Sequence, residues 1–200
     1  MIWPRISWAL SAKAKRKILL LGGLLLLVVL LVSSNWFWRW LYPIHHEEAI
    51  QQAAAAHEID PLLIAAIIRV ESKFEQENVS HVGAIGLMQL MPNTAEWIAQ
   101  QTNIPYRGAQ DLAQPETNIK MGAWYIAFLS EQFGGDQAAV IAAYNAGPGR
   151  VSQWIEEKKW DGRLETADRI PVGETRHYVQ RVFYNYEKYK QLYPDFGDTY

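Results

Sequence analysis

The residue with the clearest chemical potential is Glu71, a carboxylic acid that ends an apolar stretch. Residues 62–70, LLIAAIIRV, have almost no polar side, and in a helix Glu71 lies on the side of Ile64, Ile67 and Ile68. Burial among such side chains disfavours the carboxylate and raises its pKa, so that the group keeps a proton near neutral pH. The pattern predicts a general acid. The alternative is that Glu71 ends its helix by turning toward solvent.

Three later clusters combine polar side chains with glycines or aromatic residues. Residues 83–92, GAIGLMQLMP, hold glycines that allow close backbone approach, an amide and two thioethers. Residues 143–147, AYNAG, place a phenol and an amide before a glycine, and residues 174–179, ETRHYV, bring an acid, basic residues and an aromatic to a predicted helix start. Each cluster also has a structural interpretation: a tight turn with core methionines, a helix cap and a helix-dipole contact.

Helices separated by short loops must position these clusters. Asp60 followed by Pro61 is typical of a helix start, an N-cap acid before a proline at the first helical position, and it opens the helix that carries Glu71. The other predicted helices cover residues 47–57, a segment starting at 92, 115–133, 137–144 and 174–189. An irregular loop or small hairpin is expected between residues 77 and 87, and a turn at 146–149. The fold class is therefore mainly α.

The N-terminus predicts a membrane segment. Five basic residues precede Ile18, and an uninterrupted apolar run covers residues 18–32. Because basic residues mark the cytoplasmic side, the rest of the chain is expected to lie outside. With the aromatic cluster at 36–40, the run reaches the roughly 20 residues that a bilayer needs. We expect a cytoplasmic segment 1–17, a transmembrane signal anchor 18–40, a linker 41–46 and a domain 47–197; a signal peptide cleaved after Ser34 is the alternative.

Charge and residue content exclude several function classes. Of the 19 Lys and Arg residues, five lie before Ile18, where no acid lies, so the remaining 14 face 21 Asp and Glu residues and the net charge is −7. An acidic domain is a poor partner for nucleic acid. Cysteine is absent, which excludes disulfides and thiolate metal sites, and the spacing of His45, His46 and His57 matches no strong ligand motif. No metal or cofactor is expected.

The order of these motifs resembles that of the soluble lytic murein transglycosylase family, which has a goose-type lysozyme-like catalytic domain. The resemblance rests on Glu71-Ser72, on Ser80 with residues 83–92, on 143–147 and on 174–179, and it covers roughly residues 47–193. It implies a lysozyme-like helical fold, peptidoglycan glycan strands as substrate, and a catalytic domain in the periplasm. With the predicted anchor, the expected location is the bacterial inner membrane, crossed once.

The resemblance also implies a reaction. The family cleaves the β-1,4 bond between N-acetylmuramic acid and N-acetylglucosamine without water and leaves a 1,6-anhydromuramic end. Glu71 matches the catalytic acid, which protonates the glycosidic oxygen and then accepts the proton of the C6 hydroxyl. The matched substrate-binding positions are Ser80, Gln89, Met91, Tyr144, Asn145, Glu174 and Tyr178. Among these, Tyr144 and Asn145 are expected to orient the acetamido group, and Ser80 to hydrogen-bond Glu71 or the substrate.

Two other functions are compatible with the same motifs. A lysozyme of this fold would hydrolyse the same bond, but it would need a positioned water and usually a second carboxylate. Glu75 and Glu77 are near Glu71 in sequence but lie in a polar stretch that is expected to be solvated. A non-catalytic peptidoglycan-binding protein could keep the cleft, although an intact Glu71 disfavours that interpretation.

Overall fold

In the part of the chain that the structure describes, the regular structure is helical, apart from two isolated antiparallel β-bridges that join Val79 to Ile85 and Ile85 to Leu90. The computed structural model describes residues 11–77 and 79–197. Within these ranges the helices are α1 Ala12–Val32, α2 Asn35–Leu41, α3 Glu47–His57, α4 Pro61–Glu71, α5 Pro92–Gln101, α6 Ala109–Leu112, α7 Pro115–Gln132, α8 Gln137–Ala146, α9 Pro148–Glu156, a 3₁₀ helix Leu164–Arg169, and α10 Gly173–Leu192. The described residues form two compact units, which are divided between Pro43 and Ile44.

The first unit contains α1 and α2, which are bent by 66° relative to each other. The segment predicted as one anchor over residues 18–40 is therefore interrupted. The reason is local: Ser33 ends α1, and the Ser34 side chain accepts a hydrogen bond from Phe37 N at the start of α2. In the described part of the chain no single helix meets the length and hydropathy that a membrane span requires, whereas α1 and α2 together meet them. The membrane anchor stays a prediction.

The helices of the second unit begin where the sequence signals them. Asp60 accepts from Leu62 N and Pro61 is the first residue of α4, while Asp136 accepts from Ala138 N at the start of α8. The predicted helix 47–57 coincides with α3, and the predicted helix 174–189 lies inside α10. The mainly helical prediction is confirmed for the described residues.

The turn predicted at residues 146–149 is wrong in its extent. Only Gly147 separates α8 from α9, and Pro148 is the first residue of a nine-residue helix. Proline fits the first helical position because its missing N–H has no helical partner there. A Gly-Pro-Gly sequence therefore indicates a helix junction here, and the buried side chains of Val151 and Trp154 hold α9 in place.

Gly147 gives a stability prediction. Its φ of +89° and ψ of 140° lie in a region that L side chains rarely adopt, although a Cβ there would meet no atom within 4 Å. We expect Gly147→Ala to lower the free energy of unfolding by about 1–3 kcal/mol through backbone strain alone. Thermal unfolding measures this, with Gly149→Ala as control because Gly149 lies inside α9 and is equally uncrowded. Equal melting temperatures for both variants would contradict the prediction.

Helix α4 occupies the centre of the second unit. Its residues 62–68 are all buried, and it packs against α10 and α3. Around it, α7 contacts α3 and α8, and α8 contacts α9 and α10. Because α4 is buried along most of its length, it is a rigid support for Glu71. Its last turn places Glu71 close to the loop 79–90 and to the first half of α10.

Candidate active site

Glu71 ends α4 and lies partly buried against α10. The Tyr178 hydroxyl donates a hydrogen bond to Glu71 Oε1 at 2.7 Å. Burial raises the pKa of Glu71 from 4.5 to about 7, while the hydrogen bond from Tyr178 and the positive charge of Arg181 lower the pKa in part. The carboxyl group is thus poised to exchange a proton near neutral pH, as its apolar helix predicts. It does not turn fully toward solvent.

Tyr178 is suited to act only as a donor. Its side chain is 2% exposed, and burial together with the nearby Glu71 raises the pKa of Tyr178 well above its usual value. The phenol therefore keeps its proton and engages Oε1 of Glu71. A protonated Glu71 then carries its hydrogen on the other oxygen, Oε2, which is the atom left to donate.

Ser72 connects the acid to the loop that follows. Its buried hydroxyl lies 2.8 Å from Leu87 O and 3.2 Å from Ile68 O, and it accepts from Phe74 N. Phe74 has a φ of +68°, so the chain turns sharply just after α4. The hydroxyl satisfies backbone groups of this turn and holds residue 87 of the loop beside the end of α4.

Asn118, on α7, holds the same loop from the other side. It is fully buried; its Oδ1 accepts from Met88 N at 2.7 Å, and its Nδ2 donates to Ile85 O and Leu112 O at 2.9 Å each. Gly86 must be a glycine here, because its φ is +81° and a Cβ would lie 2.4 Å from Asn118 Nδ2. The fit places residues 85–91 against α7 and fixes where Gln89 and Met91 emerge.

The AYNAG motif joins this loop to α10. Tyr144 donates from its hydroxyl to Met88 O at 2.8 Å, and burial together with the charge of Glu71 raises the pKa of Tyr144 well above its usual value. Asn145 is exposed, and its Oδ1 accepts from the buried Thr175 hydroxyl at 2.8 Å. This bond uses the side-chain oxygen of Asn145, so the two N–H donors of its amide are not involved in it.

The structure brings some predicted residues together and separates others. Tyr178 contacts Glu71 directly, and Tyr144 interacts electrostatically with both of them. The Gln89 Nε2 donates a hydrogen bond to Gly86 O, and the Gln89 backbone has a left-handed φ of +47°. The Met91 side chain is 39% exposed. These residues lie on the short loop that Asn118 holds.

Ser80 and Glu174 lie outside that cluster. In this structure the Ser80 hydroxyl accepts from Ala84 N at 2.9 Å and closes the tip of the loop, rather than bonding Glu71. A hydrogen bond from Ser80 to the substrate stays a prediction. Glu174 is exposed and lines a separate depression of about 750 Å³ together with His177, Gln180, Arg181 and Tyr184. Arg181 lines this depression, and its positive charge also lowers the pKa of Glu71.

Three residues with a direct effect on the site carried no sequence prediction: Asn118, Thr175 and Arg181. A polar Asn118 among the buried positions of α7 was a detectable signal, since a buried amide must have partners. The pairing of Thr175 with Asn145 and the position of Arg181 depend on how α10 packs, which no local pattern specifies. Across residues 11–77 and 79–197 no group of three or more His, Cys, Asp or Glu side chains is placed to hold a metal ion.

Tyr178→Phe provides a test of the acid's environment. Because the Tyr178 hydrogen bond lowers the pKa of Glu71, its loss should raise that pKa further above about 7. For a group that must start protonated, the alkaline limb of the kcat profile then moves to higher pH, while kcat at the optimum falls roughly tenfold through lost positioning. Tyr186→Phe is the matched control, since Tyr186 is a buried α10 tyrosine that donates to Asp60 at 2.5 Å. An alkaline limb that moves equally in both variants would refute the assignment.

Comparison with known proteins identifies the family to which this arrangement belongs. The family model for the transglycosylase SLT domain matches residues 48–166, more than half of the chain. This chain belongs to the transglycosylase SLT domain family. The match includes Glu71, the loop 79–90 and the AYNAG motif, and it ends before α10.

Relatives of this SLT-domain chain agree with the match. It is 39% identical over 145 residues to the soluble lytic murein transglycosylase of Salmonella typhimurium, covering 70% of this chain and 22% of the relative. The membrane-bound lytic murein transglycosylase C of Actinobacillus pleuropneumoniae is 31% identical over 171 residues, covering 72% of this chain and 45% of the relative. The chain thus spans less than a quarter of the Salmonella protein's length and less than half of the Actinobacillus protein's.

A solved structure supports the fold. The crystal structure of the 70 kDa soluble lytic transglycosylase Slt70 from Escherichia coli superposes with a TM-score of 0.73 at 34% identity, covering 78% of this chain and 25% of that one. The prediction of a mainly helical, lysozyme-like SLT domain is confirmed by this similarity. The roles of its individual residues stay predictions.

Proposed function

We propose that this SLT-domain protein is a peptidoglycan lytic transglycosylase that cleaves the β-1,4 bond between N-acetylmuramic acid and N-acetylglucosamine without water. The observation that carries the proposal is the environment of Glu71, whose pKa of about 7 results from burial. Among the described residues, Arg181 is the charged side chain that shifts this pKa, and no neighbouring carboxylate contributes to raising it. One acid without a carboxylate partner suits a mechanism in which the substrate supplies the missing group.

In the first step Glu71 acts as the general acid. The proton on Oε2 passes to the glycosidic oxygen as the bond between that oxygen and C1 of the muramic residue breaks, and the N-acetylglucosamine leaves with a free hydroxyl. The acetamido oxygen of the muramic residue forms a bond to C1 and holds the developing positive charge. Tyr178 stays bonded to Oε1 and stabilises the carboxylate that Glu71 becomes.

In the second step the same group acts as the base. The Glu71 carboxylate takes the proton of the C6 hydroxyl while O6 attacks C1 and displaces the acetamido oxygen, which closes the 1,6-anhydro ring. Glu71 ends the cycle protonated, so that no proton is gained or lost overall. A pKa of about 7 serves both directions because the proton is neither too tightly nor too weakly held.

The neighbouring residues would bind and orient the glycan. Asn145 presents its NH₂ group to the acetamido carbonyl, held in that orientation by Thr175. Gln89 and Met91 emerge from the loop beside Glu71 and would contact sugar hydroxyls and ring faces. Tyr144 holds the loop in place through its hydrogen bond to Met88 O. We assign Ser80 and Glu174 to contacts with parts of the glycan strand that lie further from Glu71.

We also propose that the protein acts in the periplasm from a single-pass anchor in the bacterial inner membrane. The support is the basic segment before Ile18, the combined length and hydropathy of α1 and α2, and the membrane-bound relative from Actinobacillus pleuropneumoniae. Cysteine accessibility labelling of intact cells tests it, because the chain has no native cysteine. A cysteine replacing Gly149 should react with an impermeant reagent only after the outer membrane is opened; one that reacts only after lysis would place the domain in the cytoplasm.

Mass spectrometry of released sugars tests the reaction. The full chain in detergent is incubated with purified peptidoglycan, and the products are compared with those of a hydrolytic lysozyme. Anhydromuramyl ends, lighter by one water than reducing ends, are the expected products. Reducing ends would show a lysozyme, and glycan binding without any released sugar would show a non-catalytic binding protein.

A further inference from the structure

The chain enters the second unit through a segment that is fixed against it. Ile44 is only 6% exposed, and the His46 carbonyl accepts the first helical hydrogen bond of α3 from Ile50 N at 3.0 Å. Between these two residues the His45 ring stands edge-on to the Phe74 ring, with ring centroids 5.6 Å apart. Residues 44–46 therefore belong to the folded domain, and we call them the entry segment.

The entry segment lies beside the turn that follows the acid. Phe74 is 8% exposed, and its N–H donates to the Ser72 hydroxyl at 3.2 Å, which holds it close to the end of α4. The chain makes three Cα–Cα steps from Glu71 to Phe74, so these two residues are at most about 11 Å apart. Glu71 thus lies near the point at which the chain enters the domain.

The connection between α2 and the entry segment is short. Helix α2 ends at Leu41, Tyr42 N still donates to Trp38 O at 2.8 Å, and the ring of Pro43 fixes its own φ. From Leu41 to Ile44 the chain makes three Cα–Cα steps, so this connection spans at most about 11 Å. The chain itself therefore limits how far Glu71 can be from α2.

Helix α2 has the composition of a segment at a membrane surface. Trp36 and Trp40 are 72% and 69% exposed, and tryptophan is enriched at the boundary between lipid and water. In the proposed anchor the basic residues before Ile18 lie in the cytoplasm, so α2 lies at the outer boundary. Glu71 is then confined to a layer next to the outer face of the membrane.

This layer selects one state of the glycan. A strand that passes through it is one whose reducing end is still bonded to a membrane lipid, the state in which glycosyl transfer to a lipid-linked saccharide leaves it. Cleavage between C1 of a muramic residue and O4 of the next N-acetylglucosamine leaves the lipid-bound part with a free 4-hydroxyl. The released part carries the 1,6-anhydro end, so no water is consumed.

We propose that this enzyme cuts lipid-attached glycan strands at a short distance from the membrane, and that the connection of Tyr42 and Pro43 sets this distance. The enzyme thus acts directly after the glycosyl-transfer reaction that lengthens the strands, and it releases them from their lipid. This inference rests on the proposed function and on the proposed anchor. Its measurable consequence is that the lipid-bound remnant of each strand has a narrow range of lengths.

A spacer inserted between Pro43 and Ile44 tests the inference. The full chain is reconstituted into phospholipid vesicles that hold long, peptide-free glycan strands linked at their reducing ends to a polyprenyl diphosphate. Mass spectrometry then measures the length of the remnant that stays with the vesicles. The spacer consists of four EAAAK repeats, which are mainly helical and about 30 Å long. We expect it to make the remnants roughly twofold longer, because it more than doubles the length of the connection.

The same spacer inserted before Ser11 is the matched control. In the proposed topology it lies on the cytoplasmic side of α1 and leaves the connection after α2 unchanged, so the remnants should keep their native length. Glycan strands of the same length without the lipid measure the activity of each chain in solution. All three chains should cut these free strands at equal rates.

The outcomes separate this inference from the proposals on which it rests. Remnants of equal length with and without the spacer after Pro43, or cleavage of free strands alone, would overturn the inference and leave the proposed function standing. The native chain supplies a second readout that does not depend on how the spacer variant folds, since remnants spread over all lengths would also overturn the inference. Failure to cut either strand would overturn the proposed function, and failure of the chain to float with the vesicles would overturn the anchor.

Discussion

Glu71→Gln is expected to reduce kcat by about three orders of magnitude while glycan binding stays close to that of the wild type. Glutamine keeps the shape of the side chain and still accepts the Tyr178 hydrogen bond, but it has no proton to transfer. The measurement is the rate of anhydromuramyl release from peptidoglycan, together with calorimetric binding of a glycan strand. Glu75→Gln is the matched control, since Glu75 is an exposed carboxylate four residues further along the chain.

The same variant should alter stability in a pH-dependent way. The pKa of Glu71 is about 7 in the folded protein and 4.5 in the unfolded chain, so the folded state binds more protons than the unfolded state between pH 4.5 and pH 7. Folding is therefore favoured below pH 4.5 and loses stability as the pH rises toward 7. Glu71→Gln removes this loss, so its effect on the free energy of unfolding should be more favourable at pH 8 than at pH 4 by about 3 kcal/mol. Wild-type turnover, or a stability difference independent of pH, would rule out Glu71 as the buried acid.

Asn118→Ala is expected to have the second large effect, on stability and activity together. The substitution leaves two buried backbone groups, Met88 N–H and Leu112 C=O, without the partner that Asn118 supplies. It also removes one of two donors to the Ile85 C=O, which still accepts from Leu90 N. We expect a loss of about 3–5 kcal/mol and a melting temperature lower by about 10 °C. Below that temperature, the loop that carries Gln89 and Met91 is no longer fixed, and kcat/KM should fall roughly a hundredfold.

Asn185→Ala is the control for this prediction. Asn185 is also a helical asparagine, but its single hydrogen bond, to Arg181 O, is exposed. Thermal unfolding and turnover should both stay near the wild type in Asn185→Ala. If Asn118→Ala behaves in the same way, the loop is held by contacts other than the Asn118 amide, and our account of how it is positioned is wrong.

The Ser72 and Asn118 contacts fix the position of the loop relative to Glu71. Ser72 ties Leu87 O to the end of α4, and Asn118 ties Met88 N to α7. The loop that contains Leu87 and Met88 is short and irregular, so its isolated β-bridges cannot by themselves define its position. Side chains from two buried helices supply the missing hydrogen bonds, which keeps Gln89 and Met91 at a constant place relative to Glu71.

Much of the helical framework was predictable because its signals are local. Asp60 with Pro61 and Asp136 cap helices through bonds within three residues, and these signals act the same way in any context. The partial burial of Glu71 was predictable for a related reason: seven buried residues precede it in the same helix, so the end of that helix cannot be fully hydrated. Motif order supported the family, and the family match confirmed it.

Tertiary packing decided what those local signals leave open. Tyr178 lies 107 positions from Glu71, and only the packing of α10 on α4 brings its hydroxyl to Oε1. The same packing sets the pKa of Glu71. Ser80, which is adjacent to the glycine-rich motif, instead accepts a hydrogen bond from Ala84 N within its own loop. Hydrogen bonds across long separations depend on angles between helices, which arise from the complementary shapes of many side chains at once. The sequence by itself thus determined which carboxyl group lies at the end of an apolar helix, and the tertiary structure decided which neighbours set its pKa and hold the loop beside it.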